Sequence, residues 1–142
     1  MLAEGDKAPL FELPSLEPLS EAVALVFFKV ACPTCQFTLP YAQRIADATP
    51  QVIAISQDDA KATANFHERF QISMKTLLDK PPYPASTAFR LTHVPSIFLI
   101  EPDGVISMAV EGFSKMHLEK LASRFGVNVF RAGETVPALK PG

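Results

Sequence analysis

Apolar residues along the chain form short continuous runs. Between these runs, the apolar residues are spaced three or four positions apart, as on one face of a helix. The run Ala22–Phe28 lacks polar alternation, which is typical of a strand covered on both faces, and Gln51–Ser56 predicts a second buried strand. Between them, apolar residues recur every fourth position, which predicts a helix from Cys32 to about Thr49. The residues that carry this spacing are Phe37, Tyr41 and Ile45.

The following segment continues the alternation of strands and helices. Acidic residues open the stretch from Gln57 to Phe70, as suits a helix N-terminus, and a short strand is expected at Lys75–Asp79. Strand, helix, strand and helix in this order imply a parallel crossover. The sheet is therefore expected to be at least partly parallel.

The last third of the chain predicts a helix, a hairpin and another helix. A proline cluster precedes a short helix at Ala85–Leu91, and two strands between Ser96 and Gly112 are joined by a turn at Asp103-Gly104. A final helix is expected over Ser114–Phe125, with Ser114 as its N-cap.

Length and charge limit the classes of protein to consider. A chain of 142 residues fits one domain, residues 1–142, in which residues 126–142 either trail loosely or add an edge strand. Its 13 basic and 15 acidic residues are mixed along the chain, so nothing indicates binding to nucleic acid or to an anionic membrane. Proteins or small molecules are the expected partners.

No segment predicts a membrane span or a secretory signal. The longest apolar run, Ala22–Phe28, is far shorter than the roughly 20 residues that a spanning helix needs. The N-terminus has no basic segment followed by an apolar core. A cytoplasmic location is the expectation, and a periplasmic or other extracytoplasmic one is the alternative if a signal or anchor was removed.

The two cysteines stand three positions apart, in the sequence Cys32-Pro33-Thr34-Cys35 between the first strand and the first helix. Pro33 suits the first helical position, which places Cys32 at the helix end. There, free N–H groups and the helix dipole favour a thiolate, so Cys32 is the candidate nucleophile. Cys35, one turn later and within disulfide reach, is the candidate resolving thiol.

Two other interpretations of the pair stay open. The cysteines could be small inert core residues, or they could be half of a zinc site. Zinc would need two more ligands, and the three histidines, His67, His93 and His117, are each isolated in sequence. A Cys-X-X-Cys motif between a strand and a helix favours redox chemistry.

Several ordered motifs resemble the thioredoxin-like superfamily, specifically its TlpA-like thiol–disulfide oxidoreductases and the related AhpC/TSA (redoxin) proteins. The motifs are GDKAPLFELPSL, ALVFFKVACPTC, Leu39-Pro40 and HVPSIFLIEPDGVI, and the resemblance covers about Gly5 to Phe125. It implies an α/β thioredoxin-like fold with a central mixed β-sheet flanked by helices. The segment Gln57–Asp79 is similar to the extra helix and strand that precede the cis-proline in this branch.

The resemblance also implies a function and further site residues. Pro95 is expected to be a cis-proline facing the cysteine pair, and Val94 to offer backbone groups to an extended peptide. Pro33 and Thr34 join them as substrate-binding residues. The implied activity is thiol–disulfide exchange with protein disulfides or dithiols, without a cofactor or metal and with an unidentified electron donor or acceptor. The reducing direction is favoured, because the cytosol keeps thiols reduced.

Three positions depart from the family pattern. Ala31 replaces the aromatic residue usual before the first cysteine, and Val26 and Thr38 replace two acids known in relatives. No obvious carboxylate is left to take the Cys35 proton. Lys29, Thr38 and His93 are the expected modulators of the site.

Two rival functions belong to the same fold. A peroxiredoxin-like thiol peroxidase would need a proline seven residues and a threonine or serine three residues before its reactive cysteine. Those positions are Leu25 and Lys29 when counted from Cys32, and Phe28 and Cys32 when counted from Cys35, so the motif is absent. A non-enzymatic metal-binding or protein-binding module is the second alternative.

Overall fold

A five-stranded mixed sheet forms the centre of the protein in a computed structural model that describes residues 1–142. Its strands are β1 (Val23–Phe28), β2 (Val52–Ser56), β3 (Thr76–Leu78), β4 (Ser96–Ile100) and β5 (Ile106–Glu111). Their order across the sheet is β3-β2-β1-β4-β5. The first three strands are parallel, whereas β4 runs antiparallel to both β1 and β5. The partly parallel sheet expected from the alternating pattern is confirmed.

Four helices flank this sheet: α1 (Pro33–Ala46), α2 (Ala60–Phe70), α3 (Pro84–Ala88) and α4 (Lys115–Arg124). Their starts follow from local capping. The Asp59 carboxylate accepts the N–H of Ala62 at 2.8 Å, and the Ser114 hydroxyl accepts the N–H of His117 at 3.3 Å. The predicted N-cap at Ser114 is therefore confirmed.

Burial on both faces explains why β1 shows no polar alternation. Its residues Ala24, Val26 and Phe28 pack into a cluster with α1, α2 and α4. Its intervening residues, among them Leu25 and Phe27, pack on the other face with α3 and the N-terminal segment. The sheet thus separates two apolar layers, and Cys35 belongs to the first of them. No helix has the length and apolar character needed to cross a bilayer.

The short helix and strand before β4 are smaller than predicted, for local reasons. The helix expected at Ala85–Leu91 ends at Ala88, and Arg90 turns the chain with φ of 56°. The strand expected over Lys75–Asp79 spans only Thr76–Leu78, and the Asp79 carboxylate accepts the N–H groups of Ala85 and Ser86 at the start of α3.

The C-terminal residues take the edge-strand alternative over a short length. Strand β6 (Phe113–Ser114) pairs antiparallel with β7 (Leu139–Lys140) in a separate two-stranded sheet. Upstream, Arg44 of α1 donates two hydrogen bonds to the Glu134 carboxylate, at 2.7 and 2.8 Å, and one to the Val129 carbonyl. The segment after α4 is therefore held against α1 before it reaches β7.

Candidate active site

Cys32 stands where the loop after β1 enters α1. Its backbone is extended, with φ of −82° and ψ of 117°, and Pro33 begins the helix. The Cys32 sulfur accepts the N–H of Cys35 at 3.1 Å. An N–H of the first helical turn thus points at the sulfur, as expected from the sequence. The Cys32 side chain is half-buried.

Cys35 is fully buried and packs in an apolar cluster that includes Val26 and Leu39. Burial is the main cause that raises the pKa of the Cys35 thiol far above its ordinary value, and the hydrogen bond with the Cys32 sulfur is the second cause. The negative charge of Asp58 raises that pKa a little further. Cys35 is therefore held as a neutral thiol, and both cysteines are unbridged in this structure.

The loop before β4 faces this pair. The peptide bond between Val94 and Pro95 is cis, as the resemblance implied, and the Cys32 thiol reaches the Val94 carbonyl at 3.5 Å. Pro95 is buried, and its carbonyl accepts the N–H of Gly112 at 2.7 Å. The loop is thus joined to the segment between β5 and β6. Val94 therefore lies directly beside Cys32, with Pro95 next to it in the chain.

The loop before Cys32 is fixed by two hydrogen bonds to the backbone of Val30. Its N–H donates to the Asp58 carboxylate at 2.8 Å, and its carbonyl accepts from the Gln36 side chain at 3.0 Å. Sequence reasoning missed Asp58. A usable signal was present: Asp58 follows β2, whose carboxyl end lies beside that of its parallel neighbour β1.

Two threonines proposed for the site, Thr34 and Thr38, donate hydrogen bonds from their hydroxyl groups to backbone carbonyls. Thr38 is buried and donates to the Thr34 carbonyl at 2.7 Å, one turn back in α1. Thr34 donates to the Pro141 carbonyl at 2.6 Å. Thr38 therefore sits below the pair without offering it a carboxylate, while Thr34 touches the C-terminal segment.

Two further residues proposed as modulators, Lys29 and His93, lie at the rim of the site. Lys29 is exposed at the end of β1 and lines a shallow cavity of about 160 Å³ together with His93 and Val94. The His93 ring contacts the Glu111 carboxylate at 3.0 Å, and 58% of its side chain is exposed. The His93 ring thus pairs with Glu111 at the surface. Any modulating role of these residues stays a prediction.

A zinc site at the pair would need further ligands close to the two sulfurs. Nowhere do three or more histidine, cysteine, aspartate or glutamate side chains come together in a way that would hold a metal ion. The pair's surroundings are an apolar cluster below and the cis-proline loop beside it.

Solved structures of similar shape share the thioredoxin-like fold. A putative thiol:disulfide interchange protein DsbE from Chlorobium tepidum gives a TM-score of 0.71 at 20% identity, over 87% of this chain and 96% of that chain. The thioredoxin domain of a thiol-disulfide oxidoreductase from Bacteroides vulgatus gives 0.72 at 18% identity, over 88% and 99%. A secreted disulfide oxidoreductase of Mycobacterium tuberculosis, homologous to E. coli DsbE, gives 0.65 at 22% identity, over 79% and 84%.

Sequence comparison supplies the family. No curated protein matches the chain. The sequence profile of the AhpC/TSA family matches residues 4–109, a span that contains the cysteine pair, α2, β3 and the cis-proline loop. With a thioredoxin-like α/β fold around a neighbouring Cys32–Cys35 pair, the chain belongs to the AhpC/TSA family.

Proposed function

We propose that the protein is a thiol–disulfide oxidoreductase that exchanges disulfides with protein partners through Cys32 and Cys35. One observation carries this proposal: the half-buried Cys32 sulfur accepts an N–H at the start of α1 and lies 3.5 Å from the carbonyl that precedes the cis-proline. The first contact supports Cys32 as the attacking sulfur, and the second supports partner binding along the Val94 backbone. The neighbours described as oxidoreductases support the same chemistry.

The exchange proceeds in two balanced steps. The Cys32 thiolate attacks one sulfur of the partner disulfide; that S–S bond breaks, and the first partner sulfur leaves as a thiolate. Cys35 then gives its proton, directly or through water, to the first partner thiolate and attacks the Cys32 sulfur, which breaks the mixed disulfide and releases the second partner thiolate. Two electrons pass from the pair to the partner, and the Cys32–Cys35 bridge remains. The reverse sequence oxidises a partner dithiol.

Cys35 is the thiol that limits this cycle. Its pKa is raised by burial first and by the neighbouring Cys32 sulfur second, so it is protonated at neutral pH. Forming the mixed disulfide with a partner removes the negative charge on Cys32, which eases ionisation of Cys35. The second step therefore becomes faster as the pH rises, because a larger fraction of Cys35 is then ionised.

Partner binding is assigned to the backbone beside Cys32. Val94, half-buried, and Pro95 form one wall, and Pro33 and Thr34 at the start of α1 form the other. An extended peptide between these walls would present its disulfide to Cys32. Partners of this kind are protein segments, and an electron donor or acceptor of unknown identity would restore the pair.

The reducing direction in the cytoplasm is part of the proposal, since that compartment keeps thiols reduced. Its test is the reduction potential of the pair, measured by equilibration with defined glutathione mixtures. A reduction potential of about −270 mV would support a reductase, and a potential of about −120 mV would support an oxidase instead.

The activity itself is tested by reduction of insulin disulfides with wild type, Cys32→Ser and Cys35→Ser. We expect catalytic turnover by wild type and no turnover by either variant. The control variant is Ser107→Ala, which removes a hydroxyl that bonds Glu101 far from the pair and should turn over normally. Equal activity of wild type and Cys32→Ser would refute the proposal.

Peroxide consumption separates this function from a thiol peroxidase. The residue three positions before Cys32 is the exposed Lys29, which cannot supply the hydroxyl that the peroxidase motif uses. We therefore expect peroxide to be consumed far more slowly than insulin disulfides under the same conditions. Faster consumption of peroxide than of protein disulfides would favour the peroxidase.

A further inference from the structure

The last five residues of the chain, Ala138–Gly142, lie across the face that carries the cysteine pair. We call them the covering segment. It starts by pairing with β6, where the Lys115 N–H donates to the Ala138 carbonyl at 2.9 Å. It then passes the start of α1, where Thr34 donates to the Pro141 carbonyl at 2.6 Å. The segment thus joins β6 to the α1 turn that holds both cysteines.

The far end of the covering segment reaches the cis-proline loop. A β-carbon added to Gly142 would lie 2.6 Å from the Val94 carbonyl oxygen, so the two backbones are in close contact. The same carbonyl oxygen lies 3.5 Å from the Cys32 sulfur. The covering segment therefore occupies backbone next to the nucleophile.

Glycine at position 112 allows this close approach. Gly112, with φ of 71°, is buried beneath the segment, and a β-carbon there would lie 2.5 Å from the Lys140 carbonyl oxygen. The Lys140 ammonium also sits 4.9 Å from the centre of the Phe37 ring, two residues beyond Cys35. The contacts are mainly to backbone, as when an extended peptide lies along a sheet edge.

We infer that the covering segment is a built-in competitor of the partner peptide, because it fills the strip between Thr34, Gly112 and Val94 that a partner must use to reach Cys32. This inference rests on the proposed exchange with protein partners. The segment's own side chains are exposed, with 72% of Leu139 accessible, so its release exposes little apolar surface. A partner segment that pairs with β6 and passes Val94 replaces it.

The test compares the full chain with a chain ending at Pro137, using insulin disulfides and the small bis(2-hydroxyethyl) disulfide. If the docked form makes up about nine chains in ten, truncation lowers the KM for insulin by about tenfold and leaves kcat within about twofold. The small disulfide needs no peptide groove, so its rate changes much less. Leu139→Ala is the matched control, because it keeps the backbone contacts, and it should behave as wild type.

A separate peptide added to the truncated protein provides a second test, which shows whether a change in KM comes from loss of the segment or from a folding defect. The hexapeptide Pro-Ala-Leu-Lys-Pro-Gly, copied from residues 137–142, should inhibit insulin reduction by the truncated protein competitively. A version ending in alanine should inhibit less, because its β-carbon would collide with the Val94 carbonyl.

The outcomes separate the two proposals. An unchanged KM for insulin after truncation, together with no inhibition by the hexapeptide, would overturn the covering role while normal turnover leaves the exchange function intact. If neither chain turned over either disulfide, the exchange function itself would be refuted.

Discussion

The acid–base chemistry of Cys35 depends on the residues that surround it. Val26 and Thr38 occupy the positions where the family resemblance led us to expect acids, and the Thr38 hydroxyl donates to the Thr34 carbonyl. The carboxylate that acts on Cys35 is instead Asp58, whose charge raises the pKa of this thiol while its oxygen holds the Val30 N–H. Asp58 thus opposes ionisation of Cys35 and also positions the loop before Cys32.

We predict that Asp58→Asn lowers the pKa of Cys35, because the negative charge is removed while an amide oxygen still accepts the Val30 N–H. The rate at which Cys35 resolves a preformed mixed disulfide on Cys32 should then follow pH with a profile moved to lower pH, by less than about one unit. Stopped-flow measurement of the resolution rate across about pH 6–10 gives this profile.

The control for this variant is Asp59→Asn, which keeps a capping oxygen on α2 and should leave the profile of wild type unchanged. Slower resolution by Asp58→Asn at every pH would show that Asp58 accepts the proton, contrary to the prediction.

At the scale of elements, helix starts place the reactive groups. The first turn of α1 presents an N–H to Cys32, and α2 begins just after Asp58, the residue that holds Val30. The cap of α2 is the Asp59 carboxylate, which accepts the N–H of Ala62 at 2.8 Å. The capped start of α2 therefore helps to hold Asp58 in contact with the loop before Cys32.

We predict that Asp59→Ala lowers the free energy of unfolding by about 0.5–2 kcal/mol, because one N–H of the first turn loses its acceptor. Urea unfolding followed by circular dichroism measures this loss. Lys61→Ala, an exposed change in the same turn, should alter the stability by less than about 0.5 kcal/mol. An equal effect of both variants would contradict the capping role.

At the scale of the whole molecule, two ion pairs tie distant segments together. Arg124 of α4 donates to the Glu101 carboxylate just after β4, at 2.7 Å, and Arg44 of α1 donates to Glu134. These arginines are the main cause that lowers the pKa of each carboxyl group from 4.5 to about 2. A carboxyl group with a lowered pKa stabilises the folded state above its unfolded pKa, and this contribution is lost as the pH falls.

We predict that stability falls as the pH drops from about 4.5 to about 2, the window between the unfolded and folded values for Glu101. Glu101→Gln should flatten this part of the curve, because the glutamine does not titrate. Urea unfolding at several pH values measures the slope. Glu119→Gln, an exposed change on α4, should keep the slope of wild type, and an unaltered slope in Glu101→Gln would contradict the assignment.

The sequence predicted local features well and long-range contacts poorly. Apolar runs identified the strands around β1, and capping residues identified helix starts at Cys32 and Ser114, because both signals lie within a few residues. The cis-proline at Pro95 was reached only through family resemblance. The contact of Asp58 with Val30 and of Thr34 with Pro141 joins residues far apart in the chain, and no local pattern encodes such pairs.

The assignment of Cys32 as the nucleophile and Cys35 as the resolving thiol is tested most directly by trapping the mixed disulfide. Each single variant, Cys35→Ser and Cys32→Ser, is incubated with a protein disulfide, quenched with acid and analysed by intact-mass spectrometry and peptide mapping. Cys35→Ser is predicted to accumulate a partner bonded to Cys32, whereas Cys32→Ser accumulates none, because its remaining thiol is buried and protonated. A partner trapped on Cys35, or none trapped on Cys32, would contradict this mechanism.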